Sequence, residues 1–360
     1  MSSPNQIARL RLIRSDNVGP ITFFQLIARF GSAEAALQAI PDLAARGGGR
    51  APRLASKAQV EREMAEVDRL GARYLFLGQP GYPPLLAELE TAPPALIVRG
   101  HDHLLSRPCV AMVGARNASA AACRFARILA QGLGEAGATL VSGLARGIDS
   151  AAHDGSLATG TVGVIAGGID VVYPPENEAR QEAVAEQGLL VAEQPPGIEP
   201  RARHFPYRNR IIAGLAQGTV VVEAAPRSGS LITARYAAEF GREVMAVPGS
   251  PLDPRAQGCN GLIREGATLI QGADDVMEAV RPLGLGVRQQ RDLFDIAPAA
   301  PDAEARERQL VTDLLGPVPV AVDELIRQSG LASATVQTVL LELELAGRLE
   351  RHAGGRVSVA

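Results

Sequence analysis

The feature that most constrains the fold is an alternation of short apolar segments with helical segments between Pro108 and Ala273. The apolar segments are CVAMVG, ATLVSG, TVGVIAGG, LLVAEQ, GTVVVEA, REVMAVPG and ATLIQ. The segments that separate them, such as SAAACRFARILAQGLGEAG and LITARYAAEFG, have helical spacing. Strands that are apolar along their whole length, joined by helical crossovers, are typical of a parallel sheet covered on both faces. The sequence therefore predicts an α/β fold with a Rossmann-like parallel sheet over residues 106–285.

The segments on either side predict two smaller domains, as expected for 360 residues. Residues 1–75 contain helical segments without β-branched runs, which predicts an all-helical domain of the SAM or helix-hairpin-helix type. Residues 304–360 have the order helix, short strand, helix, helix and hairpin, which is typical of a winged-helix domain. Prolines break residues 76–105 into an extended connector, and residues 286–303 have the mixed charge, proline and alanine of a linker.

Composition excludes several classes of protein. Lys and Arg number 36 against 39 Asp and Glu, a net charge of −3, so any contact with nucleic acid must come from a local patch. No apolar stretch approaches the roughly 18 residues of a membrane helix, and the N-terminus lacks the apolar region of a signal peptide. Three cysteines, few and odd in number, indicate a reducing compartment. We therefore expect a cytoplasmic protein without a membrane segment.

Glycine, arginine and small polar residues gather where the predicted strands end. The turns are Gly114-Ala-Arg-Asn117, Leu144-Ala-Arg-Gly-Ile-Asp149, Ile169-Asp-Val-Val-Tyr-Pro174 and Ala225-Pro-Arg-Ser-Gly-Ser230. In open α/β sheets this edge holds the ligand, and helix N-termini there offer N–H groups to anions. Turns of this kind need glycine in any case, but the added arginines favour a phosphate site. Because no G-x-G-x-x-G follows the first strand and Lys57 is the only lysine, we expect no nicotinamide or ATP cofactor.

The densest basic segment is PRARHFPYRNR, residues 200–210. Its four arginines and one histidine surround Phe205 and Tyr207. Aromatic rings interleaved with arginines suit single-stranded nucleic acid, because unpaired bases stack on the rings while guanidinium groups hold phosphates. The alternative is a solvated loop whose Phe205 packs into the core.

Few residues are candidates for catalysis. Asp149 and His153 lie one helical turn apart and could form an acid–base pair, although an aspartate at a helix start above a packed histidine is the more common arrangement. Glu223 ends the strand GTVVVEA, where it could act as a base or cap a neighbouring helix. His101 and His103 have no third ligand nearby. We therefore expect no catalytic residue, no metal and no cofactor.

Taken together, the motifs resemble the DNA-processing protein A family (DprA, also called Smf). The matching motifs, in order, are VGARNAS, VSGLARGIDSAAHDGSL, VIAGGIDVVYPPEN, EQPPG, FPYRNRIIAGLA, VVVEAAPRSGSLITARYAAEFGREVMAVPG and CNGLIREGA. The resemblance implies a non-enzymatic protein that binds single-stranded DNA through the Rossmann-like domain and forms a homodimer through it. It also implies that the protein protects incoming single strands and loads RecA recombinase on them in natural transformation. The alternative is an enzyme that cleaves nucleoside monophosphates in the same crevice, with Glu223 as its carboxylate.

The resemblance also implies which residues contact DNA. Arg116 matches the arginine of the family's Gly-Ser-Arg turn, although Ala115 replaces the serine, and Phe205 occupies a position where a base could stack. The other implied contacts with DNA or phosphate are Gly114, Asn117, Arg146, Gly147, Arg208, Asn209, Arg210, Ser228, Gly229 and Ser230.

The flanking domains give weaker indications of DNA binding. Asn17-Val-Gly-Pro20 resembles a helix-hairpin-helix turn, but it has one of the usual two glycines, so a packing module is an equal alternative. The predicted recognition helix SATVQTVLLELELAG has no basic residue and carries Glu342 and Glu344, which is unfavourable in a DNA groove. We therefore favour partner binding over DNA readout for the winged helix. Its only plausible DNA contacts are the wing arginines Arg348, Arg351 and Arg356.

Overall fold

A computed structural model describes residues 3–281, 302–352 and 354–360 of the chain. The chain forms two compact units. The larger unit spans Glu63–Arg288, and the smaller unit combines Met1–Arg62 with Gln289–Ala360. No helix among the described residues combines the length and the apolar content that crossing a bilayer requires.

The α-helices of the described residues run through both units. They are α1 Pro4–Ile13, α2 Pro20–Phe30, α3 Ala33–Arg46, α4 Lys57–Arg69, α5 Pro84–Ala87, α6 Ala120–Glu135, α7 Ile148–Ser156, α8 Glu178–Gln187, α9 His204–Leu215, α10 Ser230–Glu239, α11 Gln257–Arg264, α12 Ala273–Ala279, α13 Ala305–Asp313, α14 Val322–Ser329 and α15 Ser333–Leu345. Short 3-10 helices lie at Asp102–Ser106 and Pro175–Asn177.

The larger unit is built on a mixed nine-stranded sheet with the order β1-β2-β6-β5-β4-β3-β7-β8-β9. Its strands are β1 Arg73–Phe76, β2 Ala95–Gly100, β3 Cys109–Val113, β4 Thr139–Ser142, β5 Thr161–Val164, β6 Leu189–Ala192, β7 Gly218–Val221, β8 Glu243–Ala246 and β9 Thr268–Leu269. Strands β3 to β9 are parallel, as predicted. Helices cover both faces, and the fold class predicted from the sequence is confirmed.

The edge of the sheet next to β6 differs from the prediction. Strand β2 pairs antiparallel with β6, and β1 pairs antiparallel with β2. Strand β2 lies within residues 76–105, which we predicted to be an extended connector that leads into the Rossmann-like domain. Pro93 and Pro94 precede the strand and do not interrupt it, while Ala95–Val98 are fully buried apolar residues that extend the core.

The core beside the candidate site consists of strand residues and two helices. Val110 and Met112 of β3 pack with Leu129 and Leu133 of α6 and with Ile148, the first residue of α7. Ser119 caps the start of α6, because its hydroxyl accepts a hydrogen bond from the Ala122 N–H. This packing fixes the turns that follow β3 and β4, because each turn leads directly into a buried helix.

The smaller unit contains the predicted helical and winged-helix elements. Helices α1, α2 and α3 share one apolar cluster, while α13, α14 and α15 pack against a three-stranded sheet. That sheet has the order β10-β12-β11, with β10 at Val320–Ala321, β11 at Leu349–His352 and β12 at Arg356–Val359. The predicted linker 286–303 lies outside the described residues except for Asp302 and Ala303.

Candidate functional site

A cavity of about 280 Å³ lies at the carboxyl ends of the parallel strands. Its walls are the turns that follow β3, β4 and β5 together with the first turns of α9. The lining residues are Arg116, Asn117, Gly143, Ala145, Arg146, Ile165, Ala166, Gly167, Val171, Tyr173, Pro174, Phe205 and Arg208. This is the edge at which open α/β sheets bind ligands, and helix N-termini offer N–H groups to anions there.

Two guanidinium groups lie close to the aromatic ring of Phe205. The guanidinium carbon of Arg116 lies 5.3 Å from the centre of the Phe205 ring, and that of Arg208 lies 6.0 Å from it. The ring of Tyr173 is 5.6 Å away and tilted by 56°. Phe205 is half-buried and Tyr173 is 45% exposed, so aromatic surface in this pocket remains accessible. Phe205 thus lines the pocket and is not an internal core residue.

Arg116 is an exposed cation of the pocket. It lies in the turn between β3 and α6, as predicted, and within the described part of the chain it forms no ion pair. Its guanidinium lies over the ring of Phe205. The Arg116 guanidinium is therefore available to an anion, and its planar donors suit a phosphate.

Arg208 is buried beneath the pocket. Its Nη1 donates to the Val164 carbonyl at 3.2 Å and to the Gly143 carbonyl. A Cβ on Gly143 would lie 1.5 Å from that nitrogen, so only glycine leaves room for the guanidinium. Burial lowers the pKa of Arg208 and raises the pKa of the buried Asp149 carboxyl, and the two opposite charges counteract these shifts. The Arg208 side chain therefore holds the turns after β4 and β5 together while it lines the pocket.

Arg146 lines the pocket but already has an anionic partner. It forms an ion pair with Glu176, and both side chains are exposed. Exposed ion pairs contribute little to stability, so a phosphate could displace the Glu176 carboxylate.

The second arginine of the Arg-Asn-Arg motif does not line the pocket. Arg210 is 7% exposed, donates to the Thr91 carbonyl at 2.7 Å and forms an ion pair with Glu193. Because residues two apart point to different sides of a helix, Arg208 and Arg210 cannot face the same ligand.

Other residues implied by the resemblance lie beside the pocket. A Cβ on Gly147 would lie 2.2 Å from the Ala115 carbonyl oxygen, and one on Gly114 would lie 2.5 Å from the side chain of Ile148. These glycines thus allow the two turns to pack. The predicted residues that do not line the pocket are Gly114, Gly147, Asn209, Arg210, Ser228, Gly229 and Ser230.

Asn209 connects α9 to the turn at the end of β7. Its amide donates to the Gly229 carbonyl at 3.4 Å, and the hydroxyls of Ser228 and Ser230 lie 2.7 Å apart. This turn therefore contacts α9 through Asn209 and does not line the pocket.

The candidate catalytic side chains are engaged in structural contacts. The Nδ1 of His153 lies 2.7 Å from the Thr161 hydroxyl, and burial lowers the pKa of His153 to about 3. Glu223 accepts from the backbone N–H of Ser119 at 3.0 Å and from its hydroxyl at 2.7 Å. The carboxylate thus fixes the residue that caps α6, which is the helix-capping alternative considered above.

Sequence reasoning missed Gly143 and Tyr173 as site residues. Tyr173 occurs in one of the strand-end turns that we identified, and an aromatic residue in such a turn was the available signal. Gly143 had no signal in the sequence, because its role depends on a guanidinium contributed 65 residues later.

Comparison with protein families gives matches along most of the chain. The family described as DNA recombination-mediator protein A matches residues 73–281. The DprA-like N-terminal HHH domain matches residues 4–65, and the DprA winged helix domain matches residues 296–355.

Individual relatives agree with these matches. Protein Smf of Synechocystis sp. is 33% identical over 394 residues, which cover 99% of both chains. DNA processing protein DprA of Streptococcus pneumoniae is 46% identical over 198 residues, covering 54% of this chain and 70% of the relative.

Two solved structures are also similar. The X-ray structure of DNA processing protein A from Streptococcus pneumoniae matches with a TM-score of 0.62 and 35% identity, covering 77% of this chain and 98% of that one. DNA processing protein A from Helicobacter pylori, described for its single-stranded DNA binding mode, matches with a TM-score of 0.52 and 28% identity. That match covers 57% of this chain and 94% of the Helicobacter chain.

Proposed function

Because the chain belongs to the DNA recombination-mediator protein A family, we propose that it binds single-stranded DNA in the pocket at the carboxyl ends of β3, β4 and β5. The observation that carries this proposal is that Phe205 lies beside both Arg116 and Arg208 in that pocket. The single-stranded DNA binding described for the Helicobacter pylori protein supports it.

The chemistry of the pocket suits an unpaired nucleotide. A base stacks on Phe205, with Tyr173 as a second aromatic surface, and the adjoining phosphate accepts hydrogen bonds from Arg116. Both contacts are independent of base identity, so binding tolerates many sequences. A duplex cannot use the stacking surface without unpairing, and the protein therefore prefers single strands.

The test is Arg116→Ala in the full chain. We expect the binding free energy for single strands to weaken by about 1.5–3 kcal/mol, the range for a hydrogen bond to a charged group. The plot of log affinity against log salt should become shallower by about 0.7, the increment for one phosphate on a single strand. The melting temperature should stay nearly constant, because Arg116 is exposed.

Arg306→Ala is the matched control, since it removes an equally exposed arginine from α13. It should leave single-strand affinity unchanged. Unchanged affinity in Arg116→Ala would place the DNA site elsewhere. Weaker binding with an unaltered salt slope would show that the substitution acts through packing.

The family role extends the proposal to recombination. We propose that the protein, in the cytoplasm, protects incoming single strands and loads RecA recombinase on them during natural transformation. The test follows RecA ATP hydrolysis on single strands already coated with single-strand-binding protein. Added wild-type protein should shorten the lag, and Arg116→Ala should shorten it less. An equal lag with and without the protein would reject the loading role.

We further propose that the protein acts as a homodimer. Light scattering on a size-exclusion column should give twice the chain mass at micromolar concentration. A monomer at every concentration would reject this part of the proposal.

We propose that this function involves no catalytic step. Both carboxylate oxygens of Glu223 already accept hydrogen bonds from Ser119, and Glu223 does not line the pocket. The rival is a nucleotide-cleaving enzyme. Incubation with a panel of nucleoside monophosphates should release no free base. Release that disappears in Glu223→Gln would favour the enzyme.

A further inference from the structure

Helix α15 has more apolar faces than the other elements of the winged-helix domain can cover. Val336, Val339 and Leu340 face the winged-helix core, where they pack with residues of α13 and α14. Leu341 and Leu345 belong to a different apolar cluster, and they are only 2% and 0% exposed. In a winged helix this second helix of the helix-turn-helix presents its outer face to the major groove. In this chain the outer face is covered.

The cover consists of the N-terminal helices. Leu341 and Leu345 share their cluster with Phe23 and Leu26 of α2 and with Leu43 of α3. The end of α3 comes close to the backbone of α15. A Cβ on Gly47 would lie 2.2 Å from the carbonyl oxygen of Glu342. A Cβ on Gly49 would lie 2.4 Å from that of Ala346, and so both glycines are required by backbone contact.

Polar contacts surround this apolar interface. Arg348 of the wing donates to the Gly47 carbonyl at 3.0 Å, and the amide of Gln25 donates to Gln337 at 2.9 Å. The Asn17 amide donates to the Leu345 carbonyl at 3.2 Å. Asn17 belongs to the turn that resembles a helix-hairpin-helix hairpin. The helix-hairpin-helix-like turn and the recognition helix of the winged-helix domain therefore contact each other.

The acidic residues of α15 are neutralised inside the same unit. Glu342 is fully buried and accepts from Arg308 at 2.7 and 3.1 Å, and Glu344 pairs with Arg351 at 2.7 Å. Arg348 and Arg351, two of the wing arginines available for DNA, thus hold the unit together.

We propose that the winged helix of this chain is an intramolecular docking domain, whose recognition helix binds the N-terminal helices in place of a DNA groove. While the interface is intact, α15 and the Asn17 hairpin are both closed to duplex DNA. The contacts that carry the inference lie in the smaller unit, so it does not depend on single-strand binding by the larger unit.

The experiment is hydrogen–deuterium exchange on the full chain, alone and with saturating duplex DNA. In the wild-type protein we expect slow exchange over residues 333–345 and no further slowing by duplex there or over residues 14–20. Gly47→Ala serves as a wedge, because its methyl group would meet the α15 backbone while its φ of −68° suits alanine. Gly316→Ala is the control, since no atom lies within 4 Å of its added Cβ.

The wedge should speed exchange over residues 333–345 by about tenfold or more and lower the melting temperature of this unit by about 5 °C. The control should do neither. Slower exchange of α15 or of residues 14–20 on adding duplex to the wild-type protein would overturn the proposal. Equal exchange in the wedge and the control would also overturn it. Single-strand titrations of the same proteins report on the pocket of the larger unit, so the two proposals can fail separately.

Discussion

Arg208 couples the stability of the larger unit to the shape of its candidate DNA site. Arg208 is 6% exposed, its guanidinium donates to the carbonyls of Gly143 and Val164, and it is the cation that most lowers the pKa of the buried Asp149. Arg208→Met keeps most of the side-chain volume and removes the charge and both hydrogen bonds. A hydrogen bond to a charged group is worth about 1.5–3 kcal/mol, so the two lost bonds together cost about 3–6 kcal/mol. Because methionine fills the space, we expect the lower end, about 3 kcal/mol.

The loss should depend on pH in a direction that identifies Asp149. Burial raises the pKa of Asp149, and Arg208 opposes that rise, so the pKa rises further in Arg208→Met. A carboxyl whose folded-state pKa exceeds its unfolded value of about 3.9 destabilises the protein where it is ionised. The penalty of Arg208→Met should therefore be largest near pH 7.5 and shrink as the pH falls towards 5.

Urea denaturation of the wild-type protein and the variant at both pH values measures this difference. Arg208→Lys is the control, because it keeps the positive charge but loses the planar fork, and it should show the smaller pH effect. Stability equal to wild type at pH 7.5, or a penalty that grows on acidification, would refute the reasoning. The affinity for single-stranded DNA should also fall in Arg208→Met, because Arg208 lines the pocket. A variant that affects folding alone should leave this affinity unchanged.

Two further predictions concern charges near the site. Glu176→Gln frees Arg146 from its ion pair and removes a nearby negative charge. The affinity for single-stranded DNA should therefore rise about two- to fivefold, and the plot of log affinity against log salt should become steeper. Binding titrations at several salt concentrations measure both quantities. No change in either quantity would mean that Arg146 does not face the strand. His153 has a folded-state pKa of about 3 against about 6.5 unfolded. The wild-type protein should therefore lose about 1.6 kcal/mol of stability between pH 6.5 and 5, as the unfolded chain takes up the proton. His153→Gln should lack this part of the pH dependence in urea denaturation, and parallel curves for the two proteins would contradict the assignment.

The sequence predicted the parts of the fold that rest on continuous apolar runs. Strands β3 to β7 are short and buried along their whole length, and an apolar run flanked by helical spacing is a sufficient signal for such a strand. Strand β2 was not predicted, because the prolines around it indicate an extended connector and not a strand of the sheet. That the N-terminal helices cover the outer face of α15 was also not predicted, although the apolar Leu341 and Leu345 of that face are visible in the sequence.

The arginines of the site show what a motif cannot predict. Arg208 and Arg210 belong to one short motif, yet one lies beneath the pocket and the other pairs with Glu193. Helical periodicity separates their directions, but only the fold shows that carbonyls at the ends of β4 and β5 require a buried donor.

The positions of these arginines limit how many positive charges the pocket offers to DNA. With Arg208 buried and Arg146 paired to Glu176, Arg116 is the lining arginine whose charge is free within the described residues. The pocket alone therefore releases few counterions, and its contribution to affinity is mainly stacking on Phe205. A steep salt dependence of single-strand binding would have to come from exposed arginines outside the pocket, and Arg201 and Arg203, just before α9, are placed to supply it. Their joint replacement by alanine should flatten the salt slope more than Arg116→Ala does, while leaving base stacking intact. If Arg116→Ala has the larger effect on the slope, the strand is held by the pocket and not by the segment that leads into it.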